Sequence, residues 1–285
     1  MTQTIGNPGT WLAKALGLAG RHVADSTQRL GGDEDLAPPR TKPLTMADLR
    51  DSLEAGWKDF QACRTDVMFL VLLYPIIGLG LVALGLQMSL VPLLFPMIAG
   101  FALLGPVSAV GVYEISRRRE KGEDIGWLSA LKVVERPRFG AIVVMAFYLA
   151  VIFCLWLMVA AHLYGATLGP DAPASLGVFI DDVLTTGPGL MMMVLGCAIG
   201  FVFAIVVLAT SVVSFPLLLD RRVGLPVAVL TSVRVTRENP KVILTWGAIV
   251  TAGLVLGSLP FLLGLVVVLP LLGHATWHLY RRAVS

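Results

Sequence analysis

Residues 106–138 read P-V-S-A-V-G-V-Y-E-I-S-R-R-R-E-K-G-E-D-I-G-W-L-S-A-L-K-V-V-E-R-P-R. An apolar helix runs out into an arginine cluster, a short charged turn follows, and an amphipathic segment ends at Pro137 before the next apolar run. The same order recurs from Phe215 to Lys241, where F-P-L-L-L-D-R-R leads into L-P-V-A-V-L-T-S-V-R-V-T-R-E-N-P-K. Its first half recurs again from Pro270 to Arg282 as P-L-L-G-H-A-T-W-H-L-Y-R-R, with Trp277 where Tyr113 stands and His278 where Glu114 stands. The pattern fixes a membrane architecture and carries no signature of a reaction.

The composition agrees. Of 285 residues, 56% are hydrophobic and 14% charged, against roughly 25% charged in an ordinary soluble domain, and the mean hydropathy is +0.80. A formal net charge of +3 is too small to point to nucleic acid. All 22 Lys and Arg avoid three windows, 65–116, 139–220 and 242–280. A helical crossing takes about 20 apolar residues, so each window accommodates two crossings. An all-α polytopic fold of about six transmembrane helices is predicted. Basic residues are retained on the cytoplasmic side during insertion, so the N-terminus, both charged linkers and the C-terminus are expected there.

Working outward along the chain, residues 1–44 read as a cytoplasmic tail and linker, and 45–285 as the membrane domain. Trp11, Leu12, Ala15, Leu18 and Val23 outline a weak surface helix, and Gly31 to Pro43 a flexible linker. Thr45 and Asp48 form a capping-box-like start. Met46, Leu49, Leu53, Trp57 and Phe60 then give an amphipathic helix its apolar face.

Spans are predicted near 67–86, 90–116, 139–164, 190–219, 240–259 and 260–280. Pro75, Pro96 and Pro106 imply kinks whose freed carbonyls need local donors such as Ser108. A short interfacial helix is expected over Ser175–Thr186. Asn239 and Pro240 read as a cap and first helical position. Gly196/Gly200 and Gly253/Gly257 form G-x-x-x-G pairs that permit close helix approach. The last window is tight enough that spans 5 and 6 also fit a re-entrant hairpin. The coarse unit, an interfacial helix followed by a helical hairpin, then occurs three times, over about 45–118, 125–222 and 225–282, as parallel repeats.

Chemistry-bearing residues are few. His274 and His278 lie one turn apart on one helix face, and Glu114, aligned with His278 in the repeat, is the candidate third ligand of a metal site. The competing assignment places both histidines in an interfacial belt and pairs Glu114 with arginines, leaving no metal, no cofactor and no catalytic residue. His162 lies at the opposite end of its span, so no haem-ligating pair is visible. Asp66, Glu114 and Asp220 fall at span ends and no charge occupies a span centre, which disfavours a coupled ion transporter. Arg117, Arg118, Arg119, Arg221, Arg222, Arg281 and Arg282 fix topology and meet anionic lipid headgroups. Cys63, Cys154 and Cys197 lack C-x-x-C partners and read as packing residues. No G-x-S-x-G, H-E-x-x-H or P-loop pattern appears.

Four segments carry a resemblance: A-G-W-K-D-F at 55–60, G-P-V-S-A-V-G-V-Y-E-I-S-R-R at 105–118, S-V-V-S-F-P-L-L-L-D-R at 211–221 and G-H-A-T-W-H-L-Y-R-R at 273–282. Over Leu44 to Arg282 the chain resembles a proteobacterial family of integral membrane proteins, a domain of unknown function. Some members bear a cytochrome c oxidase subunit label, which the four histidines here do not support for a catalytic subunit. The resemblance implies a multi-pass protein of the bacterial inner membrane and no established activity. Three readings follow: a non-catalytic scaffold, assembly or accessory factor for another membrane complex; a permease or lipid-handling protein; and a metal or haem protein using His274 and His278. An open central cavity would mark the permease. Tight packing with an exposed apolar groove would mark the accessory factor.

Overall fold

The structure is a computed structural model that describes residues 39–126, 129–136 and 138–285. The expected surface helix near Trp11, most of the 31–43 linker and Pro137 lie outside the described residues.

Thr45 opens α1 (Met46–Val71) as expected. Its amide donates to the Asp48 carboxylate at 2.8 Å, and the Asp48 amide donates to the Thr45 hydroxyl at 3.2 Å, a reciprocal box that satisfies two otherwise orphaned groups. The buried face differs from the expected one. Leu49, Ser52, Gly56, Asp59, Phe60 and Cys63 turn inward, whereas Met46 and Trp57 are exposed. The reason is the partner helix. Gly56 meets the Ala275 backbone so closely that a Cβ would come within 2.6 Å of its nitrogen, an approach that only a small-residue face permits.

Proline divides the predicted spans. Pro75 has no N–H for the Val71 carbonyl, and the first span accordingly breaks at Leu72 between α1 and α2 (Leu73–Gly85). The second, expected as one helix over 90–116, is a 3₁₀ segment (Met88–Leu93) followed by α3 (Leu94–Ala102), α4 (Gly105–Ser108) and α5 (Val110–Glu120). Side-chain donors reach carbonyls along the bent span: Tyr74 Oη donates to Phe101 O at 2.6 Å, Trp156 Nε1 to Pro96 O at 2.8 Å, and Ser108 Oγ to Gly105 O at 2.7 Å. The amphipathic stretch after the arginine cluster is a 3₁₀ segment over Ser129–Glu135. Next come α6 (Phe139–Thr167) and the expected interfacial helix, α7 (Leu176–Thr185), capped by Ser175. The fourth span is α8 (Gly187–Ser211), with a break before α9 (Ser214–Asp220), where Pro216 frees the Val212 carbonyl.

The amphipathic α10 (Leu225–Glu238) precedes α11 (Pro240–Ser258), and α12 (Leu265–Ala283) completes the fold. Asn239 does not cap α11 with its side chain. Its Oδ1 instead accepts from Leu44 N at 2.6 Å and its Nδ2 donates to Lys42 O at 3.2 Å. Lys42 N also donates to Ala283 O at 2.9 Å, so residues 40–44 are an ordered strap along the C-terminal helix, in place of a flexible linker. Among the described residues, three helices are long and apolar enough to cross a membrane: α6, α8 running on into α9, and α11. The fold is all-α and polytopic.

The last hairpin is shallow. Gly253 and Gly257 pack on Val268, Leu272 and Leu265 of α12, as their G-x-x-x-G spacing implies. Gly247 faces Leu208 of α8. From that level α11 continues only to Ser258, while α8 reaches back to Gly187. At about 1.5 Å per residue the tip stops about 15 Å short of the outer end of α8. The tip reads L-P-F-L-L-G at 259–264, Phe261 is 83% exposed, and Phe261 and Leu262 adopt φ of 51° and 64°. Such an apolar turn belongs in hydrocarbon. The last hairpin is therefore the shorter one, its tip lying nearer the basic end than the outer end of α8.

The densest core sits at the basic end, not in the span centres. Phe215, Leu217, Leu218, Trp246, Trp277 and Tyr280 are fully buried there. Apolar residues of α8, and those on the outer face of α6, point toward what would be lipid, while Met145, Leu149 and Ile152 of α6 are buried in the core.

Candidate functional site

Two buried ionic clusters occupy the end of the bundle where α1, α5 and α12 meet. Glu114 is central to the first and has 0% exposure. The helical spacings i+3 and i+4 bring Arg117 and Arg118 of α5 back over it. Arg117 Nε and Nη2 donate at 2.9 and 3.0 Å, and Arg118 Nε at 2.8 Å. Arg136, just after the 3₁₀ segment, donates through Nε at 3.2 Å and also through Nη2. Glu123 lies 3.6 Å from both Arg117 and Arg118. Three guanidiniums thus share two carboxylates. A buried charge is tolerated only when paired and fully hydrogen-bonded, and Glu114 meets that condition.

The second cluster surrounds Asp59 of α1. His278 Nε2 donates to its Oδ2 at 2.8 Å, Ser116 Oγ donates to the same oxygen at 2.9 Å, and Arg119 Nε pairs with Oδ1 at 3.1 Å. Ser116 Oγ also lies 2.6 Å from His274 Nδ1. A carboxylate only accepts, so the serine proton points at Asp59 and His274 Nδ1–H donates to the serine oxygen. His274 Nε2 is left as a buried acceptor with no protein partner among the described residues.

Burial pushes the Asp59 carboxyl up, but the hydrogen bond and charge of His278, together with the Ser116 hydroxyl, outweigh it and hold the group below the usual aspartate range. Burial pushes His274 down to about 4, against the opposing pull of Asp59, so the imidazole is neutral near pH 7. Asp59 on α1 and His274 on α12 lie outside the three helices that are long and apolar enough to cross a membrane.

A looser ring of pairs surrounds both clusters. Arg281 joins Glu120 at 2.8 Å and Asp220 at 3.3 Å, Tyr280 Oη donates to Asp220 at 2.8 Å, and Arg282 meets Asp48 at 3.1 Å. The basic turns at the ends of α5, α9 and α12 therefore converge. Of these arginines, Arg119, Arg281 and Arg282 each face a carboxylate of another element.

Ser116, His274 and Asp59 are the residue types of a hydrolytic triad, yet the arrangement does not activate the serine. Ser116 is 1% exposed and its proton goes to the carboxylate, not to the imidazole that a nucleophile needs as base. Nor does Glu114 complete a histidine ligand set, since its oxygens are taken by arginines. Among the described residues no group of three His, Cys, Asp or Glu is placed to hold a metal. Arg117 and Arg118, two of the arginines expected to meet headgroups, are drawn inward onto Glu114, whereas Arg222 is exposed and Arg119, Arg221, Arg281 and Arg282 are partly so.

Asp59, Ser116 and Arg136 were not singled out in the sequence. Asp59 sits among the charges of an amphipathic helix, and its partner His278 lies 219 residues away. The closely spaced histidines were the one local signal that a carboxylate was needed nearby.

Among the described residues, two spaces between helices stand out. One, between Tyr74, Phe101, Leu254 and Leu262, has a volume of about 30 Å³, room for a single water. The other is an apolar groove of about 500 Å³ on the outside of the bundle, between α2–α5, the 3₁₀ segment Ser129–Glu135 and α6.

Residues 94–220 match the model of a family described as predicted integral membrane protein (DUF2189), a domain of unknown function. The match runs from α3 through α9 and includes Glu114 and its three arginines, but not Asp59, His274 or His278. It is shorter than the Leu44–Arg282 stretch over which the resemblance was read. No curated protein and no solved structure matches the chain.

Proposed function

We propose that this integral membrane protein works through its surfaces, as a non-catalytic scaffold or accessory subunit of another membrane complex. We place it in the bacterial inner membrane with both termini cytoplasmic. The observation that carries this reading is the division of the molecule into two unlike halves. One end is locked by ion pairs that use up its functional groups, while almost none of the apolar window of α8 is buried within the chain. Phe201 and Val202 on that helix are 65% and 60% exposed. The absence of charge at the span centres and the shallow last hairpin further favour a surface role over conduction.

The test is photocrosslinking in intact membranes from single positions along α8. Val194, Phe201 and Val202 should yield one protein adduct of fixed mass, and a substitution that weakens the complex should remove it. Lipid adducts alone from every position on α8 would overturn the reading.

A further inference from the structure

The groove beside α6 has the size, walls and rim of a lipid site. We infer that it holds an acyl chain of an anionic phospholipid from the leaflet at the basic side of the membrane. This goes beyond the scaffold reading and does not depend on it.

The space exists because the second span is broken. Pro106 ends one helix and starts another, and the small residues Ser108, Gly111, Ala130 and Ala146 face the gap between that span and α6. Side chains of ordinary size at those positions would fill it. The remaining walls are apolar, and the one hydroxyl among the small residues, that of Ser108, already donates to Gly105 O. A guest therefore meets no unpaired polar group from that side chain. The volume of about 500 Å³ lies within the roughly 300–1,000 Å³ of small-molecule sites.

The position selects the guest. Ile77, Leu131, Val134 and Val143 line the groove and are themselves exposed, so the mouth opens onto the apolar surface where lipid chains are the surrounding medium. A partner helix fits less well. At about 10 Å across and 5.4 Å per turn, a helix would fill this volume in little more than one turn.

The rim supplies the headgroup preference. Lys132 is exposed on the 3₁₀ segment that forms one wall, and Arg138 Nη2 reaches Arg222 O at 3.1 Å, which places the exposed Arg222 on the same side. Glu135 is the opposing exposed charge. Arg136 is committed to Glu114, so Lys132 and Arg222 are the residues assigned to the phosphate.

The test uses the purified full-length protein in vesicles of four parts phosphatidylcholine to one part phosphatidylglycerol, with a diazirine on the acyl chain of one lipid at a time. Adducts should concentrate on the peptides carrying Leu131–Val134 and Val143–Ala146, with phosphatidylglycerol favoured. Filling the groove with Gly111→Leu, or with Val134→Trp at its exposed rim should the first variant not fold, should lower that labelling roughly tenfold, a change of about 1.4 kcal/mol. Lys132→Gln with Arg222→Gln should remove the headgroup preference and leave the chain contact. Labelling equal to that of α8 and unchanged by both filling variants would mean boundary lipid only and overturn the proposal. A protein adduct in place of lipid from a crosslinker at Leu131 in native membranes would overturn it in favour of a partner helix.

Discussion

Glu114 is the residue on which the charged end depends most, because three guanidiniums are packed around a carboxylate with no access to water. Removing one partner of a buried ionic group strands the others. Glu114→Gln should destabilise the protein by about 3–5 kcal/mol, read as a fall in the unfolding midpoint in detergent, whereas Arg50→Gln, an exposed partner of Glu54, should change it by less than about 1 kcal/mol. Equal small effects would show that the Glu114 cluster is solvated.

His274 predicts a pH dependence of definite sign. Its folded pKa of about 4 lies below the ordinary histidine value of 6.5, so the unfolded chain takes up a proton that the folded one refuses. Stability is full above about 6.5 and falls as the pH drops toward 4, by an amount on the order of 3 kcal/mol. Asp59, also depressed, adds its loss below the ordinary aspartate value of 3.8. The groups facing His274 are Asp59, Ser116, His278 and Arg119. A melting series from pH 7.5 to 4.5 should show the decline in the wild type and a flatter profile in His274→Asn. Parallel profiles would contradict the buried neutral imidazole. At this scale the arginine pairing of Glu114 was legible, because i+3 and i+4 arginines sit in the sequence beside it. The Asp59–His278 contact was not, since nothing local ties α1 to α12.

Between elements, the decisive contact is α1 against α12, and it rests on Gly56. Gly56→Ala should cost about 1–3 kcal/mol, since its Cβ meets backbone that cannot rotate away. Gly80→Ala, with nothing within 4 Å, should be neutral or stabilising by up to about 1 kcal/mol. Thermal melts of the pair check this, and equal midpoints would mean that α1 does not seat on α12 as described. The periodicity of α1 was legible but its inward face was assigned to the large apolar residues. Helices in close contact prefer small ones, which is why Gly56 and Ser52 face inward while Trp57 does not. The prolines marked the bends in the spans, yet the broken spans also lean on side chains elsewhere: Tyr74 donates to Phe101 O, Trp156 donates to Pro96 O, and the Ser232 hydroxyl accepts from Val213 N. Those partners come from other elements and are invisible in a single stretch.

For the whole molecule, the segregation of basic residues made the all-α polytopic class legible before any packing was known. Depth was harder to read. A window of 39 residues fits two crossings by length, but the turn at 259–264 carries no polar side chain, whereas the turn at 87–89 has Gln87 and Ser89 and the outer loop has three aspartates. A turn that reaches water is expected to carry such groups, and their absence predicts a hairpin that stops inside the bilayer.

The central claim is a charged, locked end on the cytoplasmic side with a membrane half that no part of the last hairpin completes. Thiol labelling from each side of intact cells tests it most directly, using single cysteines at Ala174, Gly122, Phe261 and Ser285 in a background with Cys63, Cys154 and Cys197 replaced. The account predicts that an impermeant reagent labels Ala174→Cys from outside, labels Gly122→Cys and Ser285→Cys only after permeabilisation, and labels Phe261→Cys from neither side. Outside labelling of Phe261→Cys would make the hairpin a full crossing, and outside labelling of Ser285→Cys would contradict the account altogether.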